Sequence, residues 1–176
     1  DSLVLPKDAV PAALAIVSGD HQAATVGALL PESLVVRVTD ASGKPVEGQP
    51  VAFTVTAGGG SVAPASSQTN AAGVAGARWT LGSGAGTQTV QAKVTGNGAP
   101  ANLVANFSAT AASATATTIA KLQGDAQTGT AGSALTDSLV VLVTDASNNP
   151  VAGVGVDWTL TGGGIVSLPT TTTSTD

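Results

Sequence analysis

The chain has no cysteine, no methionine and no tyrosine, and a single histidine, His21. Without cysteine there are no disulfides, no thiolate metal sites and no cysteine nucleophile. One histidine rules out a multi-histidine metal centre. Charge is scarce as well, with Lys+Arg 6 against Asp+Glu 11 in 176 residues, a net of −5. Nucleic-acid binders and polybasic membrane-surface proteins need clustered Lys and Arg, so the low, acidic charge argues against both classes. No run approaches the roughly 18 consecutive apolar residues of a membrane-spanning helix. Aromatic residues are Phe53, Trp79, Phe107 and Trp158, so the 43% hydrophobic fraction rests mainly on Ala, Val and Leu. Because the sequence contains no Met, Asp1 is expected to follow a removed export signal or to begin an ordered piece of a longer chain.

What the sequence does contain is an internal repeat. Residues 13–56 align with residues 118–161 at a constant offset of 105, without gaps, with 22 identities in 44 positions. The densest block is LVVRVTDASGKPVEGQPVAFTVT against LVVLVTDASNNPVAGVGVDWTLT. A glycine triplet follows each copy, Gly58, Gly59 and Gly60 in the first and Gly162, Gly163 and Gly164 in the second. A period near 100 residues fits a sandwich domain and is too long for solenoid or propeller repeats of about 20–50 residues.

Inside the repeat the patterns are those of strands. Val51, Phe53 and Val55 alternate with Ala52, Thr54 and Thr56, and Ala75, Ala77, Trp79 and Leu81 alternate with Val74, Gly76, Arg78 and Thr80. Val90, Ala92 and Val94 repeat the pattern, and residues 103–109 supply a further strand. Period two means a half-buried strand. Asp40-Ala41-Ser42-Gly43 and Asp145-Ala146-Ser147-Asn148 carry tight-turn chemistry, and Pro45 and Pro150 bar a central strand there. Short strands separated by such turns about every ten residues predict an all-β chain of sandwich type. The expected organisation is a complete sandwich over 1–111, with 1–11 as an N-terminal extension. A short linker at 112–117 then leads to the first part of a second sandwich at 118–176. The second copy lacks everything matching residues 71–109, so Leu139, Val141, Val143 and Trp158 are expected to lie open unless further sequence or another polypeptide covers them.

The blocks VTDASGKPVEGQPVAFTVTAGGGSV and QTNAAGVAGARWTLGSGAGTQTVQAKVTG resemble the bacterial immunoglobulin-like domains of the Big-1 group, found in invasin- and intimin-type surface proteins. The resemblance implies tandem Ig-like β-sandwiches, the second incomplete, outside the cytoplasm in the periplasm or at the cell surface. It implies protein partners: a surface receptor or the subunits of a membrane complex. It is specific for fold and leaves function open, since such domains serve as spacers, stalks and binding tips.

Several residue groups invite a chemical reading, and each has a plainer one. The stretch GSGAG at residues 82–86 looks like a phosphate loop, but a strand rather than a helix follows it, so a hairpin turn is expected. Ser18, Asp20 and His21 have triad residue types, yet three groups within one turn cannot converge as a triad must. The counterpart of His21 is Ala126, so the fold does not require the imidazole. Asp20, Asp40, Asp125 and Asp145 recur at equivalent places but are too sparse for calcium, and turn capping accounts for Asp40 and Asp145. Asn106-Phe107-Ser108 fits a glycosylation sequon but reads as strand. Phe53, Trp79 and Trp158 are expected as core anchors, and Arg37 and Arg78, the two arginines, as candidate partner contacts. No catalytic, cofactor or metal residues are assigned. The expected function is a non-catalytic spacer or docking module of an exported bacterial protein. The alternatives are an accessory scaffold subunit on the periplasmic face of a membrane complex and a non-catalytic module appended to an extracellular enzyme.

Overall fold

The structure, a computed structural model, describes residues 10–96, 98–161 and 172–175. All regular elements in these residues are strands, and they fall into two compact units, Asp1–Ala112 and Ser113–Asp176. In the first unit the strands are β1 (Ala13–Ser18), β2 (Gln22–Thr25), β3 (Leu34–Thr39), β4 (Pro50–Ala57), β5 (Gly60–Ala63), β6 (Ser66–Gln68), β7 (Val74–Leu81), β8 (Gly86–Val94) and β9 (Val104–Ala112). They form a four-stranded sheet in the order β1-β3-β7-β5 and a five-stranded sheet in the order β2-β9-β8-β4-β6.

The core lies where the inward residues of the two sheets meet. Leu34, Val36 and Val38 of β3 and Ala75, Ala77, Trp79 and Leu81 of β7 belong to one sheet; Val51, Phe53, Val90, Ala92, Val94, Phe107 and Ala109 belong to the other. Their neighbours along each strand point outward, as the pleat requires. Trp79 is 0% exposed and Phe53 2% exposed. Many of the remaining inward positions are alanines, so a few large side chains fill most of the interior.

The chain passes from one sheet to the other at every connection from β1 to β8, and two of these crossings carry distinctive local geometry. After β1 the ladder to β3 shifts register between Ile16 and Ser18, and Gly19 (φ +88°) and His21 (φ +56°) turn the chain toward the other sheet. A Cβ on Gly19 would collide with the Ser33 carbonyl oxygen, so this crossing needs glycine. β2 then runs parallel to β9, with Gln22 opposite Ala109 and Thr25 opposite Ala112. The second crossing is the segment 82–86. The expected hairpin is not formed: β7 pairs with β3 and β5, whereas β8 pairs with β4 and β9, so this loop bridges the sheets. Adjacent strands whose inward residues alternate read alike whether they pair edge to edge or face one another, and here they face.

The second unit contains β10 (Thr118–Gln123), β11 (Val140–Thr144), β12 (Gly155–Asp157) and β13 (Thr172–Ser174), paired as β10·β11 and β12·β13, both antiparallel. β10·β11 repeats β1·β3 at the 105-residue offset. Thr118 faces Thr144 as Ala13 faces Thr39, and the register shift between Lys121 and Gln123 matches that between Ile16 and Ser18. β12·β13 likewise repeats β4·β6. Thr175 Oγ1 donates to Val151 O at 2.6 Å and accepts from Val154 N at 3.0 Å, as Thr69 Oγ1 bonds Val46 O at 2.7 Å and Gln49 N at 2.9 Å. Residues Ser113 and Ala114, read above as linker, hydrogen-bond to Pro150 O and to the Asp145 carboxylate. The second glycine triplet, at 162–164, lies outside the described residues.

Burial separates the copies. Leu34 is fully buried, and its counterpart Leu139 is 47% exposed. Val141 and Trp158 are half-buried. Trp158, expected as a core anchor, follows β12 and is half-buried. Val143, expected to lie open, is only 6% exposed, because the turn after β11 folds back and Val151 N donates to Val143 O.

Replacing Trp79 with Ala removes the largest fully buried side chain and is expected to cost about 3–5 kcal/mol. Chemical denaturation of the chain and its Trp79→Ala variant measures this, and an unchanged midpoint for the first unit would contradict the placement of Trp79 in the core.

Candidate functional site

The titratable groups of the first crossing form a structural staple. Asp20 Oδ1 accepts from the backbone N–H of Ser108 at 2.8 Å, from Ser108 Oγ at 3.2 Å and from His21 N at 2.9 Å. His21 Nδ1 lies 3.1 Å from Asp20 Oδ2, and the imidazole is 83% exposed. The serine that meets this pair is thus Ser108 on β9, not Ser18, and its hydroxyl donates to the carboxylate rather than to the imidazole. A nucleophile needs its base within reach, and this geometry gives Ser108 none. What the group does is tie the β1–β2 crossing to a strand 88 residues away. Partial burial of Asp20 raises its pKa, but the Ser108 and His21 amides and the nearby imidazole outweigh this and hold it below the usual value.

A second polar device at the same crossing occurs in both units. Gln22 Nε2 donates to Gly19 O at 2.8 Å and to Glu32 O at 3.1 Å, and Gln22 Oε1 accepts from Glu32 N at 2.9 Å. Gln127 makes the same three bonds to Gly124 O, Asp137 O and Asp137 N, each at 2.9 Å. Sequence reasoning passed over this clamp, although Gln22 and Gln127 are identical at the repeat offset. The carboxylate of Asp125, at the position of Asp20, pairs with Lys121 and accepts from Ala126 N.

Asp40 and Asp145 cap equivalent turns. Asp40 Oδ1 accepts from Ser42 N at 2.8 Å and Lys44 N at 3.0 Å; Asp145 Oδ1 accepts from Ser147 N at 2.8 Å and Asn149 N at 2.9 Å. The aspartate oxygens are thus taken up by N–H groups, which is the wrong chemistry for a cation cradle. Among the described residues no three His, Asp or Glu side chains converge as metal ligands. Asp145 does more than its counterpart, since Oδ2 also accepts from Asn149 Nδ2 at 2.9 Å and from Ala114 N at 3.0 Å.

The remaining candidates have equally local partners. In the 82–86 loop, Gln88 is buried and spans the segment: Oε1 accepts from Gly82 N at 2.7 Å, and Nε2 donates to Gly84 O at 2.7 Å. Gly58 leaves the room this side chain occupies, since a Cβ there would meet the Gln88 stem. No helix follows, so no helix N-terminus meets the loop. Arg37 and Arg78 lie on the outward face of the β3·β7 sheet, with Arg37 opposite Val74, four residues before Arg78. Arg37 Nε donates to Ala72 O and an Arg78 guanidinium nitrogen to Leu30 O, both at 3.3 Å. Asn106 accepts from Gln91 Nε2 at 3.0 Å across the β8·β9 ladder, and Phe107 beside it is buried.

The β-sandwich of the first unit, its crossings and its turn chemistry coincide with a family match. The family model of the bacterial Ig-like domain (group 1) covers residues 31–108. Residues 31–108 are similar to the bacterial Ig-like domains of group 1. Among solved structures, this chain is similar to the D0-D1 domain of intimin, at 21% identity over 94% of this chain and 79% of that one, with a TM-score of 0.43. It is similar to FdeC, an Escherichia coli adhesin, at 20% identity over 81% of this chain and 45% of that one, TM-score 0.46. It is also similar to domains 1–6 of the surface layer protein SbsC, at 15% identity over 95% of this chain and 22% of that one, TM-score 0.43. It spans less than half of the FdeC and SbsC chains. No curated protein matches it.

The Asp145 carboxyl is pulled down to about 2, first by the Asn149 side chain, against a desolvation cost and with help from the Ala114, Asn149 and Ser147 amides. A lowered folded-state pKa means that the ionised group stabilises the unit fully above 3.8, and that this contribution fades as pH falls through about 2. Carboxyl carbon NMR is expected to give Asp145 a midpoint near 2, rising toward 3.8 in Asn149→Ala. A midpoint at the ordinary value in the parent chain would overturn the bonding described for this turn.

Proposed function

We propose that the chain is a non-catalytic spacer or docking segment of an exported bacterial protein, with two sandwich units in tandem. Residues 1–111 are the complete unit, 112–117 the connection and 118–176 the opening part of the second. The observation that carries this reading is the repetition of a polar frame with no chemistry in it. The β1·β3 ladder, its register shift, the glutamine clamp and the aspartate turn all recur at the same offset in β10·β11. What recurs is what sets strand geometry. The polar contact of Asp20 with Ser108, seen in the first copy, is taken up in closing the sheet. Duplication of a frame without a site favours reach or surface over turnover.

Charge supports contact through backbone edges and small apolar patches. Residues 1–111 carry five basic and six acidic groups, and residues 112–176 one basic and five acidic. Contacts of that kind depend little on ionic strength, since screening acts on exposed charge. An epitope tag in the exposed turn at Ser42-Gly43 of the natural protein is expected to be accessible to antibody on intact cells. Capture of the protein's partner is expected to persist between low and moderate salt. A tag reached only after the outer envelope is opened, with the chain stoichiometric with other subunits in detergent-solubilised membranes, would replace the spacer reading with a scaffold on the periplasmic face. Loss of capture at moderate salt would refute the apolar-contact account.

A further inference from the structure

Strand β1 is the outer strand of its sheet, and among the described residues no strand pairs with its far edge. Thr39 O accepts from Ala12 N on the β1 side, and Val38 N donates to Gly73 O on the β7 side. Alternate residues of an antiparallel strand bond to opposite sides, so Ala13 and Ala15 answer Thr39 and Arg37. Leu14 and Ile16 therefore aim their N–H and C=O groups away from the sheet. Natural edges are blunted by charge, proline, a bulge or a covering segment. β1, with the sequence ALAIVS, has no charge and no proline, and Ile16 is 36% and Val17 57% exposed. Its register shift comes after Ile16, which leaves residues 13–16 as regular strand. The corresponding strand β10 has the same shift but carries Lys121 at the position of Ile16, with 70% of that side chain exposed.

Resting on the proposal that this chain makes its contacts through backbone edges, we infer that β1 pairs with β1 of a second copy, antiparallel, about a two-fold axis at Ala15. In that pairing Leu14 of each copy exchanges main-chain hydrogen bonds with Ile16 of the other. Ile16 stands opposite the buried Val36, so the incoming leucine covers the rim of the core. Three observations favour a second copy as the occupant. The outward-aimed residues lie on either side of Ala15, so a two-fold axis there matches each to its complement without a change of register. The pair at the axis is not hydrogen-bonded and brings Cα atoms to about 4.5 Å, and the exposed Ala15 is small enough to meet itself. Charge permits the approach, since residues 1–111 carry five basic and six acidic groups and the edge itself carries none. β10 supplies the contrast within the same chain: the same pairing would bring two Lys121 ammonium groups to one short ladder, which closes that edge to copies. Main-chain pairing supplies the affinity, and the aliphatic cross-strand pairs the selectivity.

The test is sedimentation velocity of the 176-residue chain from micromolar to millimolar concentration, in low and moderate salt, with NMR on a mixture of labelled and unlabelled chain. A monomer–dimer equilibrium that persists at moderate salt is expected, with intermolecular NOEs between Leu14 and Ile16. Ile16→Lys, which copies β10, is expected to weaken association at least about tenfold. Ala15→Lys is expected to do the same by setting two ammonium groups at the axis, and its exposed position leaves the core untouched if Ile16→Lys fails to fold. A monomer at millimolar concentration, association indifferent to Ala15→Lys, or NOEs from Ile16 to residues 1–9 of the same chain would overturn the inference. If the chain is monomeric while capture of its partner still resists salt, the inference falls and the edge-contact reading stands. A dimer that dissociates at moderate salt sinks both.

Discussion

Between the two sheets of the first unit, Trp79 fills space that its alanine neighbours leave. Ala75 and Ala77 precede it on β7, and Ala92 and Ala109 line the opposite sheet. A core built from small side chains brings the sheets close but buries little area per residue, so one indole supplies a disproportionate share of the apolar contact. The strand that carries it is central, bonded to β3 on one side and β5 on the other. Its carbonyl also accepts from Leu30, which anchors the approach to β3. Displacing this strand would undo one sheet and open the face of the other.

The two units separate two kinds of order. Turn caps, the glutamine clamp and the first ladder are hydrogen-bonded over short sequence distances and occur in both. Burial of β3-type residues is complete only where β7, β8 and β9 are present. Local polar geometry recurs in both units, while the core of the first is built from strands distant in sequence. Asp20 and Asp125 show the same division at one position. Asp20 binds Ser108 across 88 residues, whereas Asp125 pairs with Lys121 four residues before it.

Much of the fold was legible because period-two alternation is unambiguous when inward residues are large and outward ones polar. Trp79, Phe53 and the β8 valines are of this kind, and the Asp-Ala-Ser turns announced themselves by residue type. Two features were not legible. Alternation does not reveal which strands share a sheet, so the 82–86 loop read as a hairpin although it joins facing sheets. Side-chain clamps such as Gln22 and Gln88 were hidden because glutamine has no preferred backbone setting; identity between Gln22 and Gln127 was the available signal for one, and Gln88 had none.

The parallel pairing of β2 with β9 bears on how the first unit carries load. β2 lies near the start of the unit and β9 is its last strand, and the two run in the same direction. Tension applied through the two ends of the unit pulls these neighbours in opposite directions along their common axis. The ladder bonds are then stressed in shear, together rather than one after another, and the Asp20–Ser108 contact adds a side-chain tie across the same seam. Tension entering from the N-terminal side meets the β1·β3 ladder first and the parallel β2·β9 seam next along the chain.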